Sequence, residues 1–272
     1  MKFFNWLFGK KQPQKIKLGL ALGSGGAKGF AELGALKCFE ENGITFDYVA
    51  GTSIGSIIGA FYADGYSSSD ILELLKSTDM GEILSLFMLK MDTSGLFKVI
   101  DRTLGSLTFE ELKLPFKAVA TELDTGEEHV FESGSVAKAL CASSSIPPFF
   151  KPVVVDGVRY VDGAFSNSIP SDVVKNMGAD FVIAIDLRNE NSKPSLLTKI
   201  FPSFKGKVEE PWLKGYEYAD VMLKPDLSEY SSVSFAYGNA MYDIGYRTAS
   251  DQIAQIKNQI ENFKKPKKQK KK

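Results

Sequence analysis

The 272-residue sequence contains only two cysteines, Cys38 and Cys141, and a single histidine. Two cysteines in apolar segments do not form the disulfide framework of a small secreted protein, and they favour a reducing compartment. No apolar run reaches the roughly 18 residues that a membrane-spanning helix needs. The apolar stretch within residues 1–8 is too short for a signal peptide and lacks a small-residue cleavage site. The sequence therefore predicts a cytoplasmic protein.

Positive charge is scarce in most of the chain. The 33 basic and 33 acidic residues balance overall, but seven of the lysines lie in residues 264–272, which contain no acid. The rest of the chain has 26 basic residues against 33 acidic ones, which argues against nucleic acid as a partner. Hydrophobic residues make up 44% and charged residues 24% of the sequence, as in ordinary globular domains.

Apolar runs and helical patterns alternate early in the chain. Strands are predicted over residues 16–22 and 46–50, and helices over residues 27–42 and 54–63. This repeated strand–turn–helix order is typical of a parallel sheet covered by helices. Further strands are predicted at 116–122, 129–132, 153–155, 159–161, 181–186 and 221–224, and a last helix at 238–263. We therefore expect one three-layer α/β/α domain over residues 16–263, with a central and mostly parallel sheet.

A serine with glycines on both sides lies between the second strand and its helix, in Gly51-Thr52-Ser53-Ile54-Gly55. A sharp strand-to-helix turn exposes a serine hydroxyl above the sheet edge, and the glycines relieve crowding in the strained backbone. Ser53 is therefore a candidate nucleophile, which needs a neighbouring base to become reactive. The alternative is that Gly55 merely allows close packing of the helix on the sheet.

A glycine-rich loop, Gly23-Ser24-Gly25-Gly26-Ala27-Lys28-Gly29, joins the first strand to the first helix. Converging main-chain N–H groups at a helix N-terminus bind a phosphate or stabilise an oxyanion. The dinucleotide fingerprint would require glycine at position 28, and the P-loop would require Gly-Lys-Ser/Thr, so neither pattern is satisfied. The serine turn favours the oxyanion role, and a tight turn without a ligand is the alternative.

Two residues are candidates for the base. His129 is the only histidine, and its setting near a hairpin end is more typical of a structural residue. Asp162 ends a predicted strand in Tyr-Val-Asp-Gly-Ala, where it can present its carboxylate at the sheet edge that carries the serine turn. A partly dry site would raise the pKa of this carboxylate and make it a better base.

These motifs, in this order, resemble the patatin-like phospholipase family. The similarity runs from about residue 17 to 187, and flanking blocks at 142–147 and 167–170 also resemble the family. It implies a Ser–Asp dyad without histidine that hydrolyses fatty-acyl esters.

By position, the resemblance makes Ser53 the nucleophile and Asp162 the base, and the N–H groups of Gly25 and Gly26 the oxyanion donors. The supporting motif positions are Gly23, Lys28, Gly29, Gly51, Gly55 and Gly163. Ser24 stands where the family loop commonly has glycine.

Three segments, each apolar or basic, are candidates for contact with lipid. Residues 80–97 are rich in leucine, methionine and phenylalanine and predict either core packing or an acyl channel or lid. Residues 1–15 form an amphipathic segment, and the lysine tail at 264–272 would be attracted to an anionic bilayer. Both ends are therefore predicted either to touch anionic membranes peripherally or to be solvated termini.

The sequence contains no pattern typical of a metal cluster or a calcium loop, so we expect activity without metal or cofactor. Three other interpretations remain open: a serine hydrolase that uses His129, a catalytically silent lipid-binding or scaffold protein, and a nucleotide-binding domain.

Overall fold

A computed structural model describes residues 15–77, 93–147, 150–188 and 210–263. Residues 1–14, the lysine tail and residues 80–92 of the predicted lid segment lie outside the described residues. Within the described ranges, no helix combines the length and the apolar character needed to cross a bilayer.

The described residues form an eight-stranded sheet whose strands follow the order β5-β6-β3-β2-β1-β7-β8, with β4 paired to β3. The five strands from β3 to β8 in that order are parallel to one another, whereas β4, β5 and β6 pair in antiparallel fashion. The strands are β1 (Leu18–Leu22), β2 (Tyr48–Thr52), β3 (Phe116–Glu122), β4 (Glu128–Phe131), β5 (Val153–Val155), β6 (Val158–Asp162), β7 (Phe181–Ile185) and β8 (Val221–Leu223).

Helices cover both faces of this sheet. Their bounds are α1 (Phe30–Glu41), α2 (Ile54–Ala63), α3 (Ser68–Ser77), α4 (Ser94–Leu104), α5 (Val136–Ser143), α6 (Ser171–Asn176), α7 (Leu213–Tyr218) and α8 (Gly238–Asn262). The predicted helix at 27–42 begins instead as a short 3-10 turn over Gly26–Gly29, because the glycine loop turns tightly before α1 starts.

The sheet is buried on both faces. Every residue of β1 and of β7 is buried, as expected for strands with helices above and below. Successive residues of a strand, such as Leu20 and Ala21, belong to two separate apolar clusters, one on each face of the sheet. The three-layer α/β/α prediction is therefore confirmed.

The direction of β6 is a structural finding, because the sequence predicted only that Asp162 lies at the sheet edge that carries the serine turn. β2 pairs with β3 only as far as Thr52 opposite Val119. Beyond that point, β6 pairs antiparallel with the overhanging end of β3, and Asp162 lies opposite Ala120. Since β4 occupies the other edge of β3, β2 and β6 lie end to end, and the residues at their meeting ends are Ser53 and Asp162.

Candidate active site

Ser53 occupies the turn between β2 and α2 with φ 56° and ψ −124°, in a backbone region that side chains rarely adopt. The flanking glycines make this turn possible. A Cβ atom on Gly51 would lie 2.2 Å from the carbonyl oxygen of Gly55, and one on Gly55 would lie 2.5 Å from that of Leu22. The turn is therefore tight against the end of β1, as a nucleophile turn requires.

The hydroxyl of Ser53 donates a hydrogen bond of 2.6 Å to Oδ2 of Asp162. The other carboxylate oxygen accepts a bond of 2.8 Å from the main-chain N–H of Ala164. The N–H of Asp162 itself donates to the carbonyl of Ser145 at 2.8 Å. The structure thus brings together the two predicted catalytic residues, and it holds Asp162 at both carboxylate oxygens and at its main-chain nitrogen.

Burial controls the proton affinity of this pair. Asp162 is fully buried and Ser53 is 5% exposed. Desolvation of its charged form raises the pKa of Asp162 to about 7, although the hydrogen bonds from Ser53 and Ala164 counteract the rise. A carboxyl group with such a pKa is a much stronger base than an exposed aspartate and is still half ionised near neutral pH.

Ser143, the last residue of α5, supports the nucleophile turn through hydrogen bonds. Its hydroxyl accepts a hydrogen bond of 2.9 Å from the N–H of Ser53 and donates one of 2.6 Å to the carbonyl of Val119. The sequence analysis included Ser143 only within a block that resembles the family, and no local pattern indicates a contact across 90 residues.

The glycine loop lies beside the serine turn, since a Cβ atom on Gly55 would be 2.6 Å from the carbonyl oxygen of Gly23. Gly26 has φ 57°, which favours glycine. Within the described ranges, the N–H groups of Gly25 and Gly26 have no hydrogen-bond acceptor, whereas that of Ala27 donates to the carbonyl of Ser232 at 2.7 Å. Among the described residues, the loop therefore leaves two main-chain N–H groups without an acceptor, as an oxyanion hole would require.

The remaining motif residues serve packing around these groups. A Cβ atom on Gly29 would lie 2.5 Å from Cγ1 of Ile54, and one on Gly163 would lie 2.2 Å from the carbonyl oxygen of Val119. Gly163 thus lets the turn after Asp162 lie directly against β3. Lys28 is buried rather than solvated, and burial lowers its pKa.

Glu32 of α1 is a buried acidic residue that sequence analysis did not single out. Its side chain is fully buried, and neither carboxyl oxygen has a hydrogen-bond partner among the described residues. Desolvation raises its pKa well above the usual value, and the nearby N–H of Gly23 counteracts this only in part. Burial therefore favours the uncharged form of Glu32, which lies beside Gly23 at the start of the glycine loop.

His129 lies in β4 on the far edge of β3, opposite Ala120. Its ring packs against Phe131 and Tyr160 at centroid distances of 4.5 and 4.8 Å, and its Nδ1 lies 3.5 Å from the Tyr160 hydroxyl. Burial lowers its pKa. The structure therefore places the histidine in an aromatic cluster and leaves the Ser53 hydroxyl bonded to Asp162.

No group of three or more histidine, cysteine, aspartate or glutamate side chains suited to a metal ion occurs in the part of the chain that the structure describes. Cys38 and Cys141 are both buried free thiols.

These features define a three-layer α/β protein with a buried serine–aspartate pair beside a glycine-rich loop. The family model for patatin-like phospholipase matches residues 20–175. The chain belongs to the patatin-like phospholipase family.

Curated relatives extend this similarity. The chain is 30% identical over 263 residues to the human Patatin-like phospholipase domain-containing protein 6, covering 91% of this chain and 18% of that protein. It is 27% identical to Neuropathy target esterase sws of Drosophila melanogaster, covering 89% and 19%. An uncharacterized NTE family protein of Mycobacterium tuberculosis is 31% identical, with coverage of 66% and 51%. The chain thus spans about a fifth of the length of the animal relatives.

Two solved structures share the fold. VipD from Legionella pneumophila has a TM-score of 0.58 at 14% identity, covering 93% of this chain and 73% of that one. The type III effector protein ExoU has a TM-score of 0.50 at 14% identity, covering 89% and 54%.

Proposed function

We propose that this protein is a serine acyl hydrolase that cleaves fatty-acyl ester bonds of phospholipids or related lipids. The observation that carries the proposal is the 2.6 Å hydrogen bond from the Ser53 hydroxyl to the fully buried carboxylate of Asp162. Family membership supports a lipid ester as the substrate. Residues 16–263 form the catalytic domain in this proposal.

In the first step, Ser53 Oγ attacks the ester carbonyl while Asp162 Oδ2 takes its proton. The developing oxyanion receives hydrogen bonds from the N–H groups of Gly25 and Gly26, and Asp162 returns the proton to the leaving alcohol. In the second step, Asp162 accepts a proton from water as the water attacks the acyl carbonyl. Asp162 then returns this proton to Ser53 Oγ as the bond between Oγ and the acyl carbon breaks and the fatty acid leaves. The strained backbone at Ser53 and the hydrogen bond from its N–H to the Ser143 hydroxyl keep the nucleophile oriented throughout.

The test is hydrolysis of a panel of phospholipids, lysophospholipids, acylglycerols and a soluble short-chain ester by wild type and variants. We expect Ser53→Ala and Asp162→Asn to lower kcat by about 10³-fold or more on every substrate that the wild type cleaves. Retained hydrolysis in Ser53→Ala would contradict the proposal.

His129→Ala is the matched control. Because His129 lies in the aromatic cluster away from Ser53, its removal should leave most of the activity, whereas a mechanism that uses histidine predicts near-complete loss. Covalent labelling of wild type but not of Ser53→Ala by a fluorophosphonate distinguishes an active hydrolase from a silent lipid-binding protein of the same fold.

We also propose a cytoplasmic enzyme that touches anionic membranes peripherally through residues 1–15 and 264–272. Deletion of both segments should weaken co-sedimentation with anionic vesicles. Unchanged co-sedimentation would remove the termini from the proposal.

A further inference from the structure

A cavity of about 450 Å³ lies outside the site around Ser53. It is formed where the N-terminus of α4 meets α5 and the chain that enters β5. The volume falls within the range of small-molecule sites. We call it the lysine cleft, and its lining residues are Thr93, Ser94, Phe97, Lys98, Lys138, Cys141, Lys151, Pro152 and Val153.

The inner wall of the lysine cleft is apolar. Phe97 and Val153 pack against the main hydrophobic core, and Cys141 is 3% exposed. Burial raises the pKa of the Cys141 thiol to about 12, so the sulfur stays protonated and acts as apolar surface. An alkyl chain is the kind of group that such a wall would bind.

The rim of the lysine cleft is cationic. Lys98 of α4, Lys138 of α5 and Lys151 of the segment before β5 are all exposed. No aspartate or glutamate lines the cleft, and none of the three ammonium groups has an ion-pair partner in the described ranges. Three uncompensated positive charges around one concave opening favour an anion there.

One hydrogen-bond path and one shared helix connect the lysine cleft to the active site. The carbonyl of Lys151 accepts a bond of 2.7 Å from the Ser145 hydroxyl, and the carbonyl of Ser145 accepts from the N–H of Asp162. In addition, α5 carries both Cys141, in the cleft, and Ser143, which holds the N–H of Ser53. A ligand in the cleft would therefore lie close to the reacting groups without touching them.

We propose that the lysine cleft binds a long-chain fatty-acid anion, with the alkyl chain on the apolar wall and the carboxylate among the three lysines. The inference deepens the proposed function and rests on it, because a fatty acid is the acid product of lipid ester hydrolysis. The cleft then holds this product beside the site that releases it.

The test measures binding alone and uses the Ser53→Ala protein, so that its outcome does not depend on hydrolysis. Palmitate displaces a fluorescent polyene fatty acid from the protein, and hexadecanol and butyrate are tested in parallel. We expect saturable displacement by palmitate and weak displacement by the other two, since the alcohol lacks the charge and the short acid lacks the chain. This comparison of ligands needs no further substitution.

Lys98→Gln combined with Lys138→Gln should weaken palmitate binding about fivefold or more. The control pair, Lys76→Gln with Lys113→Gln, removes the same charge from exposed positions outside the cleft and should leave the affinity unchanged. The proposal is overturned if palmitate does not bind, if hexadecanol displaces the probe equally well, or if the two double variants bind alike. The last result would place the fatty acid in the site around Ser53 instead.

Discussion

The hydroxyl of Ser143 accepts a hydrogen bond of 2.9 Å from the main-chain N–H of Ser53 and donates one of 2.6 Å to the carbonyl of Val119. A single buried hydroxyl therefore joins the nucleophile turn to β3, whose overhanging end pairs with the strand that ends at Asp162. This link makes Ser143 a positioning residue.

Replacing Ser143 by alanine should leave two buried main-chain groups without partners and cost about 1–3 kcal/mol of unfolding free energy. We also expect kcat to fall with little change in KM, because the Ser53 turn loses its support while substrate contacts persist. Urea unfolding and steady-state kinetics measure both effects.

Ser144→Ala is the control, since the Ser144 hydroxyl is buried without a partner among the described residues and its removal should be neutral or stabilising. Equal effects of the two substitutions would rule out the positioning role.

The rate of ester hydrolysis should depend on the ionisation of Asp162. Because the carboxylate must accept a proton and burial raises its pKa to about 7, kcat/KM should fall as the pH drops below about 7. A pH–rate profile on a soluble ester measures this limb. His129→Ala should show the same midpoint, whereas a midpoint near pH 4 would show that Asp162 titrates as an ordinary aspartate.

Asp162→Asn should stabilise the fold at alkaline pH while abolishing activity. The folded-state pKa of about 7 exceeds the unfolded value of about 3.9, so the folded protein binds more protons between these values. The stability from this protonation is fully present below pH 4 and is lost as the pH rises through 7. The asparagine variant avoids this loss and should gain about 1–4 kcal/mol at pH 8, with little gain at pH 4. Urea unfolding at both pH values checks the difference, and a gain independent of pH would contradict this explanation.

Glu32→Gln should raise Tm at pH 8 but not at pH 4. Full burial without a hydrogen-bond partner raises the pKa of Glu32, so the folded state again holds a proton that the unfolded chain releases as the pH increases. Thermal unfolding at the two pH values measures the effect. Glu73→Gln, at an exposed position of α3, should change stability by no more than about 0.5 kcal/mol at either pH. A similar response of both variants would argue against a buried acid at position 32.

Gly26→Ala should lower activity at least tenfold by displacing the glycine loop. At φ 57° the new methyl group strains the backbone, and it would lie 2.2 Å from the carbonyl oxygen of Ser232. Gly134→Ala is the matched control, because Gly134 also has positive φ but no atom within 4 Å of an added Cβ. That change should cost only about 1–2 kcal/mol of stability, with kcat retained. Normal kcat in Gly26→Ala would exclude a tight conformational requirement at the loop.

Local sequence was sufficient for the elements that carry Ser53. The helix predicted at 54–63 has the same bounds in the structure, because an apolar helical pattern begins directly after a glycine-flanked turn. The strand predicted at 116–122 is likewise unchanged. Asp156 and Gly157 both have positive φ between β5 and β6, and the dipeptide Asp-Gly is typical of such a two-residue hairpin turn. In each case neighbouring residues contain the whole signal.

The amino-acid sequence by itself determined the layered α/β architecture, the serine turn and the glycine loop, since each depends on backbone preferences within a few residues. Only the tertiary structure decided how Asp162 reaches Ser53, which strand direction delivers it, and which hydroxyl supports the turn. Those features arise from pairing β6 with the overhang of β3 and from packing α5 against β3 and β6. They join residues about 90 to 109 positions apart, and no local pattern specifies a contact that two distant segments create only when the sheet assembles.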